Sequence, residues 1–566
     1  MRAAQSEQPR LGDPDEAQQV RTGGWITFPF ILVSNLGLGL ALSGATANLI
    51  VYLVEEYNVK SIDAAQIGNI VSGSTNLAPV VGAIVSDAFF GCYPVIVSSS
   101  IISLLAVVLL TLTAAVRSLQ PPPCAFGSDA CEAPTAGQMA FLFTAVALVA
   151  VGAGGSRFNI LAMGGDQFDE VRDQVIFFNW YFIVLYVSAV VGSTVLVFVE
   201  DSVSWTLGYA LFTVANAVAV VVLLLGTKYY RRPAAQGSPF TGMARVIVAA
   251  FKKWNVKVSQ QNPSYYYGSG GDDDPNSDVP TQSLRFLNRA AWICHGNTRA
   301  DGSIARPWSL CTVRQVEDLK AIVRVLPLWS ASIFLSISIG IQLSLSVLQA
   351  LTMDRSLGPH FSIPAGSMVV SSFATTTVSL FLLDRLLLPL WCRLAGRPST
   401  PLQRIGLGQV INAAGMATSA LVERRSAAVV HAHHAEGQPG WVVPMTALWL
   451  VLPLAVTGVG EALHFPSQVA LYYQEFPQSL RSTATGMVAV LIALGFYLST
   501  AVVSLVRRAT GWLPDNINGS KMENVYWLLT ALTMVNFVYY LTCAMLYKYR
   551  SAPKEADGVA ANEGGH

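Results

Sequence analysis

The hydrophobic pattern of this chain is one of long unbroken runs, with little short-range alternation. A helix of about 20 predominantly apolar residues crosses a bilayer. Runs of that order lie at Trp25–Leu53, Ile67–Phe89, Tyr93–Val116, Ala136–Met163, Phe177–Val199 and Leu207–Leu225. After a long polar gap they resume at Val323–Ala350, Ala365–Leu390, Leu407–Val422, Trp441–Tyr472, Ser482–Val506 and Val525–Leu546. The pattern predicts an all-α membrane protein with 12 transmembrane helices in two six-helix bundles. The expected divisions are a cytoplasmic tail (1–24), a first bundle (25–225), a linker (226–319), a second bundle (320–547) and a cytoplasmic tail (548–566).

Composition agrees: 52% of the 566 residues are hydrophobic and 12% charged, against about 25% charged in soluble domains. Mean hydropathy is +0.47. A net charge of +1 carries no nucleic-acid signal. The polar start has no apolar core followed by a small-residue cleavage site, so no signal peptide is expected. Basic residues mark the cytoplasmic side. Arg385 near the end of the eighth run, Arg393, Arg397 and Arg404 after it, and Lys548 and Arg550 after the last, put both termini inside.

The linker divides further. Arg245, Lys252, Lys253 and Lys257 alternate with apolar residues in a stretch suited to an anionic membrane surface. Tyr265–Pro280 is rich in Gly, Asp and Ser and reads as disordered. Leu284–Trp292 suits a short helix. Cys124 and Cys131 share a loop, either bridged or as free thiols. Asn518-Gly519-Ser520 is an N-glycosylation acceptor pattern on a predicted outer loop.

Charges inside apolar runs are costly and mark internal polar paths or helix pairings. Arg157 follows Gly152, Gly154 and Gly155, which let another helix approach closely. It is either an anion contact or the partner of a structural carboxylate. Glu461 follows Gly458 and Gly460, either carrying a proton or neutralising Arg157; His464 lies one helical turn on. Gln342, Ser344, Ser346 and Gln349 of the seventh run offer hydrogen bonds to a polar solute or to neighbouring helices. Asp87, Gly91 and Tyr93 form a tight connection between the second and third runs. Asp384-Arg385 is its looser counterpart, and both suit gating or structure. No cofactor motif, metal-ligand set or nucleophile–base pair stands out. His431, His433 and His434 crowd a loop without completing a metal site, and no obligate protein partner is implied.

Several blocks resemble the plant nitrate transporter 1/peptide transporter family, within the proton-dependent oligopeptide transporter group of the major facilitator superfamily. They are Gly82–Tyr93, Gly154–Phe168, Phe177–Phe182 (FFNWYF), Met353-Asp354-Arg355, Thr400–Gly406, Val422-Glu423-Arg424 and Gln474–Ser482. The resemblance implies a secondary transporter at the plasma membrane, working by rocker-switch alternating access. The family's ExxER motif, linked to proton coupling, falls on Leu36-Gly37-Leu38-Gly39-Leu40 and is absent. Arg157 replaces the family lysine, Cys92 an arginine and Ala470 an acid. Ile339 and Gly340 stand where some nitrate transporters carry a histidine. The departures resemble the nitrate excretion subfamily and lead to the expectation of nitrate or another small anion as substrate, moved outward at low affinity, with protons as a possible partner. The alternatives are proton-coupled uptake of a peptide, hormone, glucosinolate or other organic solute, and a non-transporting sensor or scaffold.

Overall fold

The computed structural model describes residues 23–123, 132–232, 239–254, 265–267, 280–294, 297–299, 303–359, 361–438, 441–475 and 481–547. Backbone polar groups in lipid must bond within their own segment, and helix is the answer an apolar chain adopts. Helix α1 (Phe28–Ala47) breaks at Asn48 and resumes as α2 (Leu49–Glu55). Then come α3 (Ser61–Val85), α4 (Cys92–Ala115) and α5 (Ala136–Gly165). Helix α6 (Val171–Val191) passes through a π-turn at Gly192–Leu196 into α7 (Val197–Ser202), and α8 (Trp205–Leu225) closes this first group. The linker holds α9 (Pro239–Lys252) and α10 (Arg285–Asn288). The second group is α11 (Val313–Thr352), α12 (Val370–Leu382), α13 (Leu388–Ala395), α14 (Pro401–Ala432), α15 (Val451–Glu475), α16 (Arg481–Ala509) and α17 (Met522–Leu546). The protein is an all-α, multi-spanning membrane fold.

Among the described residues 11 helical stretches are long and apolar enough to cross a membrane, one fewer than the sequence suggests. The one that falls short is α3. Its Asp63, Gln66, Asn69 and Ser74 share one face and bond to the second group, so its polarity serves helix pairing. Gln66 Nε2 donates to Ser504 Oγ at 3.1 Å, Asn69 Nδ2 to Ser344 Oγ at 3.3 Å, and Ser74 and Tyr497 share a 2.8 Å hydroxyl bond.

Other boundaries shift for local reasons. Capping boxes at Thr312/Gln315 and Thr400/Gln403 start α11 and α14 earlier than their apolar runs do. Trp441 lies outside the helix expected there. The strand β2 (Val443–Thr446) pairs in parallel with β1 (Met353–Asp354) before the chain turns into α15.

The amphipathic helix α9 divides its apolar residues: Ile247 and Phe251 are exposed, and others pack inward. Val246, Ala249 and Ala250 are buried against Leu287, Ala290, Ala291 and Val316. Lys253, also buried, donates from Nζ to the Ala290 and Trp292 carbonyls at 3.2 and 2.5 Å. One side of α9 thus packs on the chain itself, while Ile247 and Phe251 stay exposed. The short helix expected within 284–292 forms as α10, whereas Lys257, Cys124, Cys131 and most of Tyr265–Pro280 lie outside the described residues.

The two ends of the bundle differ. The connections after α2, α4, α7, α11, α14 and α16 lie at one end, called here the seam end. At that end Asp63 pairs with Arg507, and Asp515 with both Arg507 and Lys60. Arg355 lies 3.7 Å from Asp201, Ser367 Oγ donates to the Ser193 carbonyl at 2.8 Å, and Phe198 stacks on Phe361. Between described residues, the hydrogen bonds and ion pairs joining the two groups run from these connections only as far as Ser74. Beyond it, toward the linker end, α3 turns to α5 of its own group: a Cβ at Gly82 would lie 2.1 Å from the Gly154 carbonyl oxygen.

Candidate solute and coupling site

Arg157 is positioned by the glycine face of α5. A Cβ at Gly154 would sit 2.8 Å from Ala78 of α3, one at Gly155 2.4 Å from Ser99, and one at Gly152 2.7 Å from Ser103 of α4. These contacts need small residues, and they fix the rotation of α5 with Arg157 half-buried. Its carbonyl accepts a 2.7 Å bond from the Tyr181 hydroxyl on α6. Among the described residues its guanidinium has no hydrogen bond or ion pair. It borders a cavity of about 30 Å³, together with Asn35, Leu38 and Gly39 of α1, Ser103 of α4, and Ser156. That is room for about two water molecules. The lining comes entirely from the first group of helices and includes no acid. Sequence reasoning pictured a chamber shared by both halves; in this state the cavity beside Arg157 belongs to one half.

The missing motif of α1 has a packing counterpart. A Cβ at Gly37 would meet the Ala215 carbonyl oxygen at 2.5 Å, and one at Gly39 would meet Ser188 Oγ at 2.3 Å. Gly39, at the place of the motif's second glutamate, thus lies directly against α6, and Gly37, at one of its unspecified positions, against α8.

Glu461 stands on the second glycine face. A Cβ at Gly458 would lie 2.7 Å from the Ser372 carbonyl oxygen of α12, and one at Gly460 3.0 Å from that of Gly408 of α14. Glu461 is half-buried and, among the described residues, its carboxylate has no hydrogen bond or ion pair. It forms no ion pair with Arg157, so the structure does not join the two as the neutralising pair considered from sequence. His464 is fully buried with both ring nitrogens short of a hydrogen bond, the Ile405 backbone being its favourable neighbour.

Gln342 and Gln349 bind to helices. Gln342 Nε2 donates to Ser419 Oγ at 3.0 Å while its Oε1 is unbonded. Gln349 donates to Glu423 of α14 and accepts from the Tyr526 hydroxyl of α17 at 3.1 Å. Glu423 is a buried acid that sequence reading treated only as part of a family block; its signal was a carboxylate within an apolar run.

The connection 86–92 is a π-turn ended by Gly91, whose φ of +76° suits glycine. Ser86 donates to Asn159 Oδ1 at 2.7 Å, and only a 3.4 Å bond from the Ser86 hydroxyl reaches Asp87. Tyr93 shares a 2.5 Å hydroxyl bond with Thr227 and carries Arg232 over its ring, tying α4 to the end of α8. Arg385 is exposed in a second π-turn (Leu383–Leu387); the side chain of Asp384 lies outside the description. Asn518 Nδ2, the atom a glycan would take, donates to the Gln438 and Trp441 carbonyls at 3.1 and 3.0 Å.

Gln167 and Asp169 of the first group's signature block form a knot at the linker end. Gln167 donates to the Met163 and Arg231 carbonyls at 2.8 and 3.2 Å and accepts from the Arg231 backbone N–H at 2.8 Å. Asp169 pairs through both oxygens with the Arg231 guanidinium, which holds its carboxyl below the usual carboxylate range.

Long apolar helices and a polar seam between two groups of them define a multi-spanning membrane protein. The family model described as POT family, PTR2, matches residues 93–522, and the chain belongs to this family of secondary transporters, which are not enzymes. The chain is 46% identical to NRT1/PTR FAMILY 2.7 of Arabidopsis thaliana, over 97% of each chain. It is 47% identical to NRT1/PTR FAMILY 2.6 of the same plant, over 94% of each. Among solved structures, the in meso crystal structure of the POT family transporter PepTSo matches with TM-score 0.67 and 16% identity, over 93% of this chain and 100% of that one. An auto-inhibited POT family peptide transporter matches with TM-score 0.66 and 17% identity, over 93% and 99%. At such identities the likeness is one of fold.

Proposed function

We propose that this chain is a proton-coupled transporter that takes up a small organic solute carrying an anionic group, a carboxylate above all. The observation that carries the reading is the guanidinium of Arg157, half-buried at a cavity wall and, among the described residues, paired with no carboxylate. An unneutralised cation in low dielectric attracts an anion strongly. Glu461, unpaired on the other group of helices, suits a proton or a solute ammonium. A solute with both charges would use both residues, which favours an organic solute, and the likeness of fold to a peptide transporter agrees. Gln342 and Gln349 tie α11 to α14 and α17, and His464 sits on the helix that bears the coupling group; Asp87, Gly91, Tyr93, Asp384 and Arg385 brace the moving ends.

The same reading takes the architecture as 12 spans in two six-helix bundles (25–225 and 320–547), with α3 as the span that polarity hides. It sets the chain in the plasma membrane with both tails cytosolic and the seam end outside. The two halves would rock about the seam.

Nitrate is the second reading. Its support is the lining beside Arg157, where Leu38 and Gly39 offer a bare anion no repelling acid.

Flux into proteoliposomes separates them. Under an inward proton gradient, labelled dipeptides and organic acids are expected to accumulate, with Arg157→Ala lowering the rate about tenfold to a hundredfold, the worth of one or two charge-assisted hydrogen bonds. Nitrate flux indifferent to the gradient, without organic flux, would move the assignment to nitrate. A folded protein carrying neither would leave a sensor or scaffold.

A further inference from the structure

The seam contains a carboxylate that neither reading uses. Glu200 of α7 is 1% exposed, and neither of its oxygens completes a hydrogen bond. Asn48, at the break between α1 and α2, faces it, also 1% exposed and with both amide atoms unbonded. Sequence reading passed over Glu200 as an acid at the end of an apolar run. Burying an ionised carboxylate without a partner is expensive, and buried polar atoms left unbonded in a native fold call for a cause.

Among the described residues, the surroundings do not supply a cation. Gly208 of α8 packs on the Glu200 side chain, its Cβ position 2.3 Å from Glu200 Cγ. The Tyr209 hydroxyl faces Glu200 from the same helix. Asp201 is its neighbour on α7, and α2 contributes Glu55, with Glu56 beyond it. Arg355 of the second group is the one basic side chain shown acting on this acidic set, and it is engaged with Asp201 at 3.7 Å and with Glu55. The Ala365–Val369 turn, which covers this place from the second group, has no titratable side chain. Its Gly366 rests on Asn48: a Cβ there would lie 2.5 Å from Asn48 Oδ1.

We propose that Glu200 is a proton-binding latch of the seam: it takes a proton from the seam-side water when the halves part, and closes with that proton on. The protonated carboxyl donates its O–H to Asn48 Oδ1, tying α7 to the break in α1 where the second group rests. Loss of the proton to water leaves a buried carboxylate with only the Asn48 amide N–H to turn toward it and, among the described residues, no cation of its own, and the seam must open to hydrate the charge. The seam therefore closes in acid and loosens as the seam-side pH rises.

The proposal rests on the transporter reading only for its effect on flux. Its primary test does not need a substrate. Hydrogen–deuterium exchange of the full chain in lipid nanodiscs, at acid and neutral pD and corrected for intrinsic rates, reads peptides covering 47–60, 196–205 and 361–370. Native protein is expected to gain several-fold protection there in acid. Glu200→Gln, always neutral and still a donor to Asn48, is expected to stay protected at both values. Asn48→Leu removes the acceptor and leaves Glu200 alone; it is expected to lose the acid protection. Protection of α14–α17 in the same data reports whether each variant is folded. The latch is overturned if folded Glu200→Gln keeps the native pD response, or if the native seam shows none. If Glu200→Gln does not fold, folded Asn48→Leu retaining the native response overturns it equally. In proteoliposomes, Glu200→Gln should retain exchange while losing most of its sensitivity to seam-side pH; absence of flux in native protein would count against the transport reading and leave the exchange result standing.

Discussion

Helices α5 and α15 each run a face of glycines past neighbouring helices and then present a charge to the bundle interior. In α5, Gly154 is wedged so tightly that a Cβ at Gly82 of α3 would lie 2.1 Å from its carbonyl oxygen; in α15, a Cβ at Gly460 would be 3.0 Å from the Gly408 carbonyl oxygen. Both oppose a backbone carbonyl; the first leaves no room for a side chain, whereas the second would need its neighbour to give by a few tenths of an ångström. The charges differ accordingly. Arg157 borders a cavity, while Glu461 stands without a partner one turn before the fully buried His464. The same small-residue device thus serves two ends: a rigid mount for an anion contact, and a looser helix able to carry a group whose charge changes.

The largest way to break this comparison is to fill the tight contact. Gly154→Leu has no room beside Ala78, and the cost should exceed the about 1–3 kcal/mol usual for overpacking, because a backbone must move. The expected outcome is loss of the monodisperse peak on size exclusion in detergent. Gly460→Ala should keep that peak and lower the melting temperature by only a few degrees, within about 1 kcal/mol. Equal behaviour of the two variants would show that the difference in slack has no energetic meaning.

Glu461→Gln sharpens the comparison on the charge side. The amide is nearly isosteric, and among the described residues no hydrogen bond or ion pair is lost. Solute exchange at equal pH should survive, and accumulation driven by a proton gradient should fall about tenfold, a change of about 1.4 kcal/mol in the driven step. If gradient-driven accumulation is untouched, Glu461 does not carry the coupled proton.

Much of this was legible in the chain. Unbroken apolar runs fix the helices because a bilayer leaves the backbone no other choice, and the glycine faces announced close contacts. Three things were hidden. The run at Ile67–Phe89 announced α3, but not that its Gln66, Asn69 and Ser74 answer to residues more than 250 positions away. The burial of Val246, Ala249 and Ala250 in α9 was hidden because their cover, Leu287 to Ala291 and Val316, is distant in sequence. And no local pattern separates Gln349, held between Glu423 and Tyr526, from a glutamine free to meet solute. Helix existence is local information; the partner of a polar side chain is not.

The smallest effect lies at the far end of α5, where Asp169 anchors the helix on Arg231 and so steadies the mount of Arg157 from outside the membrane. The pair is exposed and should be worth little, yet its sign is definite. The Arg231 guanidinium lowers the Asp169 pKa in the folded state, so the stabilisation is fully present above the unfolded value of about 3.9 and is lost as pH falls through the lower folded one. Asp169→Asn should therefore melt slightly earlier than native protein at neutral pH, and the two should converge in strong acid. High salt should shrink the difference, because exposed charges are screened beyond about 3 Å at 1 M. Gln167, which holds the same Arg231 through its backbone, is buried and indifferent to both treatments, so a gap that persists in acid and salt would assign the anchoring to the amide and remove Asp169 from it.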